Sequence, residues 1–327
     1  MALFESKTQK IPSTLLKDKY GWPPFSILNT ISWDWQRRKD EWEAIIGDST
    51  DGRDTKRFNA TPVNTFSARG TQAKDAESVS TFDPYLCELM YRWFSLPGAH
   101  ILDPFAGGCV RGLVAAVLGR HYDGIDLSLE QVKANTTQLY KTKARYIDIA
   151  GSATWLHGDA LELLSTYDPL EDSCTHVFGG SVYDMVFTCP PYYNLERYTK
   201  DPRDLSNAEN YSAFLNKYSD ILYKSSRMLK EDSFFVIVVS EVRENSQSIA
   251  QSQYVGLVPD TVQILRDQCS LHYYNEIILE NAIGSLPIRA PKYFTQTRKI
   301  GRHHQNVLVF YKGDLTHIED KFGKESF

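Results

Sequence analysis

His100-Ile101-Leu102-Asp103-Pro104-Phe105-Ala106-Gly107-Gly108 decides the fold. A short apolar run, set off by Pro97-Gly98, reads as a buried strand. It ends in an acid, a proline and two glycines, and 110–120 (VRGLVAAVLGR) reads as the following helix, with Gly119 as its stop. The same unit recurs outward. Residues 121–125 form a second strand ending at Asp126, and Ser128 with Gln131 forms a capping box for a helix to about Ala144. Residues 153–156 lead into HGDA (157–160), and 184–188 lead into CPPYY (189–193). A helix is predicted from Ser206, with Glu209 three residues on and a stripe through Tyr211, Phe214, Leu215, Tyr218, Ile221, Leu222 and Leu229. The run SFFVIVVSEV (233–242) suits a strand buried on both faces. A helix near 259–269, a strand near 271–280 and a last strand NVLVFYKG (306–313) complete the series. Strands alternating with helical patterns predict an α/β, doubly wound, helix-covered parallel sheet.

The 327 residues are 42% hydrophobic and 24% charged, an ordinary globular balance that excludes a collagen, a disordered tail or a disulfide miniprotein. Five scattered cysteines without a CxxC pair exclude a disulfide framework and a zinc site, and the expectation is a cytoplasmic protein with no metal. No segment has the apolar length of a signal peptide or a membrane span, so no membrane partner is expected. The net charge of −5 excludes binding of nucleic acid through bulk positive charge and requires a local basic surface instead. Residues 1–75, which hold Trp22, Trp33, Trp35 and Trp42, form an extension with little periodicity, read either as a recognition segment or as docked on the core. Residues 76–315 form the core, 281–305 a long connecting loop and 316–327 a tail. Oligomeric state is not legible.

Strand ends at 103–108, 124–126 and 158–160 repeat an acidic or glycine-rich turn in phase. In a doubly wound sheet, ligands bind at the carboxyl ends of the strands, where glycines admit close backbone approach and an acid accepts bonds from ribose hydroxyls. The fourth strand ends in Cys189-Pro190-Pro191-Tyr192. Two prolines impose an extended turn and remove two backbone donors, which leaves carbonyls facing outward as acceptors for an exocyclic amine. The aromatic beside them can stack a base. Tyr193 and Asn194 lie close enough in sequence to contribute.

DPFAGG (103–108) followed by CPPY (189–192) resembles the first and fourth motifs of the amino-group DNA methyltransferases, and PPFSILNT (23–30), DPFAGGCVRG (103–112) and GSLPIRA (284–290) resemble phage and prophage methylase-like proteins. The resemblance spans roughly 80–315, with weaker similarity at 20–45. It implies a Rossmann-like class I methyltransferase fold, a mostly parallel sheet with an antiparallel final strand, and S-adenosylmethionine as cofactor. It also implies double-stranded DNA as partner, and methyl transfer to N4 of cytosine or N6 of adenine in a flipped base. By the same resemblance Asp103, Phe105 and Gly107 line the methionine side, Asp126 the ribose and Asp159 the adenine. Phe82 and Asp83 supply a further cofactor-contacting segment, and Cys189, Pro190, Pro191 and Tyr192 form the transfer site.

Two departures stand out: Cys109 where the first motif usually has glycine, and Cys189 where the fourth has Asp, Asn or Ser. Thiol sulfur is a weak acceptor, and the target base stays open between the two amines. Alternatives are a methyltransferase using Cys189 as nucleophile on a pyrimidine C5, another nucleic-acid or small-molecule substrate, or a non-catalytic DNA-binding subunit of the same fold. Residues 281–313 contain no Asp or Glu and carry Arg289, Lys292, Arg298, Lys299 and Arg302 among aromatics, so this stretch is expected to contact DNA phosphates.

Overall fold

The apolar run at 233–239 becomes a strand whose successive residues enter opposite faces of one sheet. Phe234, Val236 and Val238 pack into one core, and Phe235, Ile237 and Val239 into a second. Every one of them is buried, as a strand covered by helices on both faces requires. The computed structural model describes residues 13–47, 49, 81–146, 149–165, 183–195, 198–244 and 252–323, without the side chains of 13–15 and 289. Residues 1–12, 48 and 50–75 of the extension, 76–80 of the core and 324–327 of the tail lie outside the described residues.

The amino-terminal part comprises α1 (Ser13–Tyr20), β1 (Ile27–Asn29), α2 (Trp33–Ile46) and α3 (Pro84–Phe94). There follow β2 (His100–Asp103), α4 (Val110–Val117), β3 (His121–Asp126), α5 (Leu129–Arg145), β4 (Ser152–His157), α6 (Ala160–Ser165) and β5 (Tyr183–Thr188). The rest is α7 (Tyr211–Arg227), β6 (Leu229–Val239), α8 (Leu257–Gln263) running into a π-helical turn, β7 (His272–Glu280), α9 (Leu286–Thr297), β8 (His304–Lys312) and α10 (His317–Phe322). The described strands form one eight-stranded sheet in the order β1-β7-β8-β6-β5-β2-β3-β4. The pairs β2–β3, β3–β4, β2–β5 and β5–β6 are parallel, and β8 inserts antiparallel between β6 and β7. This is the expected doubly wound sheet with an antiparallel final strand. Its order reverses between β2 and β5, which places the ligand crevice of such a sheet at their carboxyl ends.

Three local expectations are corrected. Helix α7 starts at Tyr211 and not at Ser206: Asn210 caps it, accepting from the Ala213 amide at 2.9 Å. Asp204 instead draws the Ser206 amide (2.9 Å) and hydroxyl (2.7 Å) into a short 3-10 turn. The stretch 281–305 is not one long loop, because α9 occupies most of it. Leu286, Ala290, Tyr293 and Thr297 turn inward at helical spacing, a pattern masked in the sequence by Pro287 and Pro291. Pro287 falls at the helix start, where no backbone donor is needed. The extension, which showed little periodicity, contributes β1 as a parallel edge strand on β7 through Ile27↔Ile278 and Leu28↔Leu279.

Helix α2 buries Trp35, Trp42 and Ile46. Its Trp42 indole donates to Glu88 on α3 at 2.6 Å, and Arg38 grips the same carboxylate at 2.8 and 2.9 Å. Among the tail residues, Lys321 bonds the Asp232 carbonyl at 2.6 Å and Phe322 packs on Phe234. No helix among the described residues is long and apolar enough to cross a membrane.

Candidate active site

Parallel pairing aligns the strand ends. Asp103 lies opposite Gly124, Asp126 opposite His157, and Leu102 opposite Val186, so the turns after β2, β3, β4 and β5 share one rim of the sheet. The two quoted motifs are joined across that rim: the Thr188 hydroxyl, last in β5, donates to Asp103 Oδ1 at 2.6 Å.

Asp103 is wholly buried. Its Oδ1 also accepts from the Phe105 amide at 3.1 Å, and its Oδ2 accepts from Arg111 Nε at 2.5 Å and Tyr122 Oη at 2.8 Å. The carboxylate therefore shapes the turn from within and is not itself exposed at the rim. Arg111 donates further to the carbonyls of Phe105 (2.7 Å) and Ala106 (2.8 Å). Its guanidinium stands 4.6 Å from the Phe82 ring centroid. Burial opposes the Arg111 charge, but the adjoining Asp103 carboxylate outweighs it and holds the guanidinium pKa above its ordinary value. Burial likewise pushes the Tyr122 phenol well up.

Gly107 has φ +52°, and a Cβ built on it would meet nothing within 4 Å among the described residues, so the turn is open to a closely approaching ligand. Its carbonyl is held by Asn135 Nδ2 at 2.8 Å. Asp126 and Asp159 are each half-buried and begin the next turns, accepting from the amides of Ser128 (2.7 Å) and Leu161 (2.8 Å). Phe105 is half-buried and lies 6.4 Å, ring to ring, from Tyr218. Phe82 lies edge-on to Phe187 at 5.8 Å. Asp83 caps α3, accepting from the Tyr85 and Leu86 amides, and its other oxygen takes the Trp35 indole at 2.9 Å. A cavity of about 240 Å³ opens beside Phe82, between Gly47 at the end of α2 and Val110 at the start of α4.

Beyond Thr188, Pro190 is buried and Cys189, Pro191 and Tyr192 are half-buried. Cys189 Sγ lies 3.5 Å from Tyr192 Oη, which accepts from Gln305 Nε2 at 3.3 Å. Tyr193, at φ +51°, turns its ring onto Tyr211 and Phe214, and burial raises its phenol pKa.

The basic residues divide. Lys292 is exposed on α9. Arg298 ends α9 at φ +58° and stacks over Phe294. Lys299 bonds the Ser252 hydroxyl at 3.0 Å, and Arg302 bonds Ser240 (3.2 Å) and the His304 carbonyl (3.1 Å). The Arg289 side chain lies outside the described residues. Among the described residues no His, Cys, Asp and Glu cluster has the makings of a metal site.

Sequence reasoning missed Arg111, Thr188, Tyr122 and Gln305. For Arg111 a signal existed: a lone charge inside the apolar helical run 110–118.

The order β4-β3-β2-β5-β6-β8-β7 with β8 reversed is the class I methyltransferase fold. No family model matches the chain, and no curated protein does. Solved structures with a similar fold include TrmN from Thermus thermophilus, at 14% identity over 71% of this chain and 50% of that one, with a TM-score of 0.43. Another is magnesium protoporphyrin IX methyltransferase from Synechocystis PCC 6803 with bound SAM, at 12% identity over 70% and 79% of the two chains and a TM-score of 0.41. A third, also from Thermus thermophilus, is assigned provisionally as a DNA modification methylase and is complexed with S-adenosyl-L-methionine, at 22% identity over 48% and 54% of the two chains and a TM-score of 0.33. The chain thus spans half the length of the first of these. Likeness of this order leaves function to be read from the chain's own site.

Proposed function

We propose that the protein is an S-adenosylmethionine-dependent methyltransferase acting on an exocyclic amino group of a base in double-stranded DNA. The juxtaposition of the DPFAGG and CPPY turns on neighbouring strands, pinned by the Thr188–Asp103 hydrogen bond, carries this proposal. The residues present suit the cofactor. The open Gly107 turn admits a close backbone approach, and the half-buried carboxylates Asp126 and Asp159 stand on the same rim as acceptors for ribose hydroxyls and an adenine amine. Asp103, consumed internally, serves as a positioning residue. When bound, the cofactor supplies an electrophilic methyl group.

The chain's own residues present the amine. Pro190 has no N–H, and its carbonyl is free of the helix and strand ladders, so it serves as an acceptor that directs the nitrogen lone pair outward. Cys189 adds a weak acceptor where a carboxylate or amide would be stronger. Tyr192 offers a ring for the extruded base. Such stacking is worth about 1–3 kcal/mol, of the order of the few kcal/mol that extrusion costs. The Gln305 and Cys189 contacts fix the position of the Tyr192 hydroxyl and hence of its ring.

Incubating unmodified DNA with methyl-labelled cofactor and analysing the nucleosides by mass spectrometry tests this directly. N4-methylcytosine or N6-methyladenine is the expected product. Unlabelled DNA, or label at a pyrimidine C5, would overturn the proposal. Cys189→Ser is expected to retain activity, because no covalent adduct is required; complete loss with intact folding would indicate a nucleophilic thiol instead.

A further inference from the structure

Beside the CPPY turn, the segment after β6 and the segment before β8 enclose a pocket of about 390 Å³ lined by Arg243, Tyr254, Arg298, Lys299, Arg302 and His304 together with two apolar neighbours. Arg243 had no place in the sequence reading. It pairs with Tyr254 as an isolated antiparallel bridge and lays its guanidinium 4.0 Å from that ring. Among the described residues no carboxylate lines the pocket. Glu241 accepts from the amides of Gly256 and Val258, and Glu276, which accepts from Asn306, acts on His304 from outside the lining. Arg302 is braced by neutral acceptors, Ser240 and the His304 carbonyl, so its charge is oriented without being cancelled.

Cations gathered in a concave site without a lining acid repel one another, and an anion relieves the repulsion. At Lys299 and His304 such repulsion adds to the larger effect of desolvation. Desolvation first, then Arg243, lowers the Lys299 pKa; desolvation first, then Arg302 and His303, lowers that of His304. The pocket is also placed next to the transfer site. Ser240, which holds Arg302, follows β6, whose Ile237 pairs with Thr188. Gln305, next to His304, donates to Tyr192.

We propose that this pocket is a phosphate site that seats a backbone phosphodiester of the DNA strand beside the target nucleotide, with Arg243 and Arg298 as its principal ligands. The assignment to DNA rests on the function proposed above; the anion site itself does not.

Two arms separate them. In the first, inorganic phosphate is titrated into the full chain and the ring resonances of His304 are followed by NMR. Saturable shifts are expected, with the imidazole pKa rising as phosphate binds, and both are lost in Arg243→Gln. Absence of saturation, or shifts that persist in Arg243→Gln, overturns the site. In the second, DNA affinity is measured against salt for Arg243→Gln, Arg298→Gly and Lys292→Ala. Glycine suits the left-handed backbone at 298 and removes only the side chain. The two pocket variants are expected to lower the slope of log affinity against log salt by about 0.9 for the one phosphate lost, with a roughly tenfold weaker affinity at low salt. Lys292→Ala, an exposed charge outside the pocket, should change affinity far less. Equal effects for all three variants overturn the seated phosphodiester in favour of diffuse attraction. Wild-type protein that binds phosphate in the first arm but methylates no DNA would overturn the proposed function and leave the anion site standing.

Discussion

A carboxylate buried as completely as Asp103 must be neutralised by its surroundings, and Arg111, Tyr122 and Thr188 do so. Removing one partner leaves the others with a cost. Arg111→Met is expected to lower stability by about 3–5 kcal/mol, because the carboxylate stays buried without its cation. Asp103→Asn added to it should recover part of that loss, and urea unfolding of both single variants and the double variant measures the coupling. Thr188→Val removes a donor from the same carboxylate and should cost about 1–3 kcal/mol while lowering turnover through a looser CPPY turn. Asp123 behaves differently. Burial raises its pKa even though Tyr183 donates to it at 3.0 Å. A carboxyl whose folded pKa exceeds its unfolded value destabilises the protein when ionised. Asp123→Asn, which can still accept from Tyr183, should therefore raise Tm at pH 7. The gain should shrink as pH falls through the raised folded pKa and vanish below the unfolded value of 3.8.

At the scale of elements, the extension is held by polar contacts reaching into a largely apolar interface. Glu88 receives Trp42 and Arg38, and Asp83 receives Trp35, so α2 is keyed to α3 by indole donors as well as by ring packing. Glu88→Ala should cost about 2–3 kcal/mol and release α2 early. Tryptophan emission would then shift to the red at lower urea than the loss of far-ultraviolet circular dichroism; coincident transitions would show that α2 has no separate hold.

Strands β2, β5, β6 and β8 were legible in the sequence because burial on both faces leaves a plain apolar trace, while β3 (HYDGID) showed through its terminal Asp126 and the capping box that follows it. Helix α9 was not, since its two prolines and a preceding glycine imitate a loop, and the three-residue β1 is too short to show alternation. The internal use of Asp103 was illegible too: an acid at a strand end reads as a ligand, and only the fold reveals that Arg111, Tyr122 and Thr188 reach it first.

For the whole molecule, the net charge of −5 coexists with a cationic pocket at one end of the strand rim, so charge is segregated and not merely scarce. The sheet also couples distant parts of the chain. Strand β1 takes its partner from β7, and the Thr30 hydroxyl bonds the Glu280 carbonyl across a sequence separation of 250 residues. That pairing sets an order of assembly during synthesis. Helix α2 can meet α3 soon after both leave the ribosome, but β1 has no edge to join until β7 emerges, a wait of roughly 10–50 s at ordinary elongation rates. Throughout that interval the nascent chain carries Leu28, wholly buried at the end, as uncovered apolar surface, and the far edge of the sheet is closed only when the earliest strand joins one of the last.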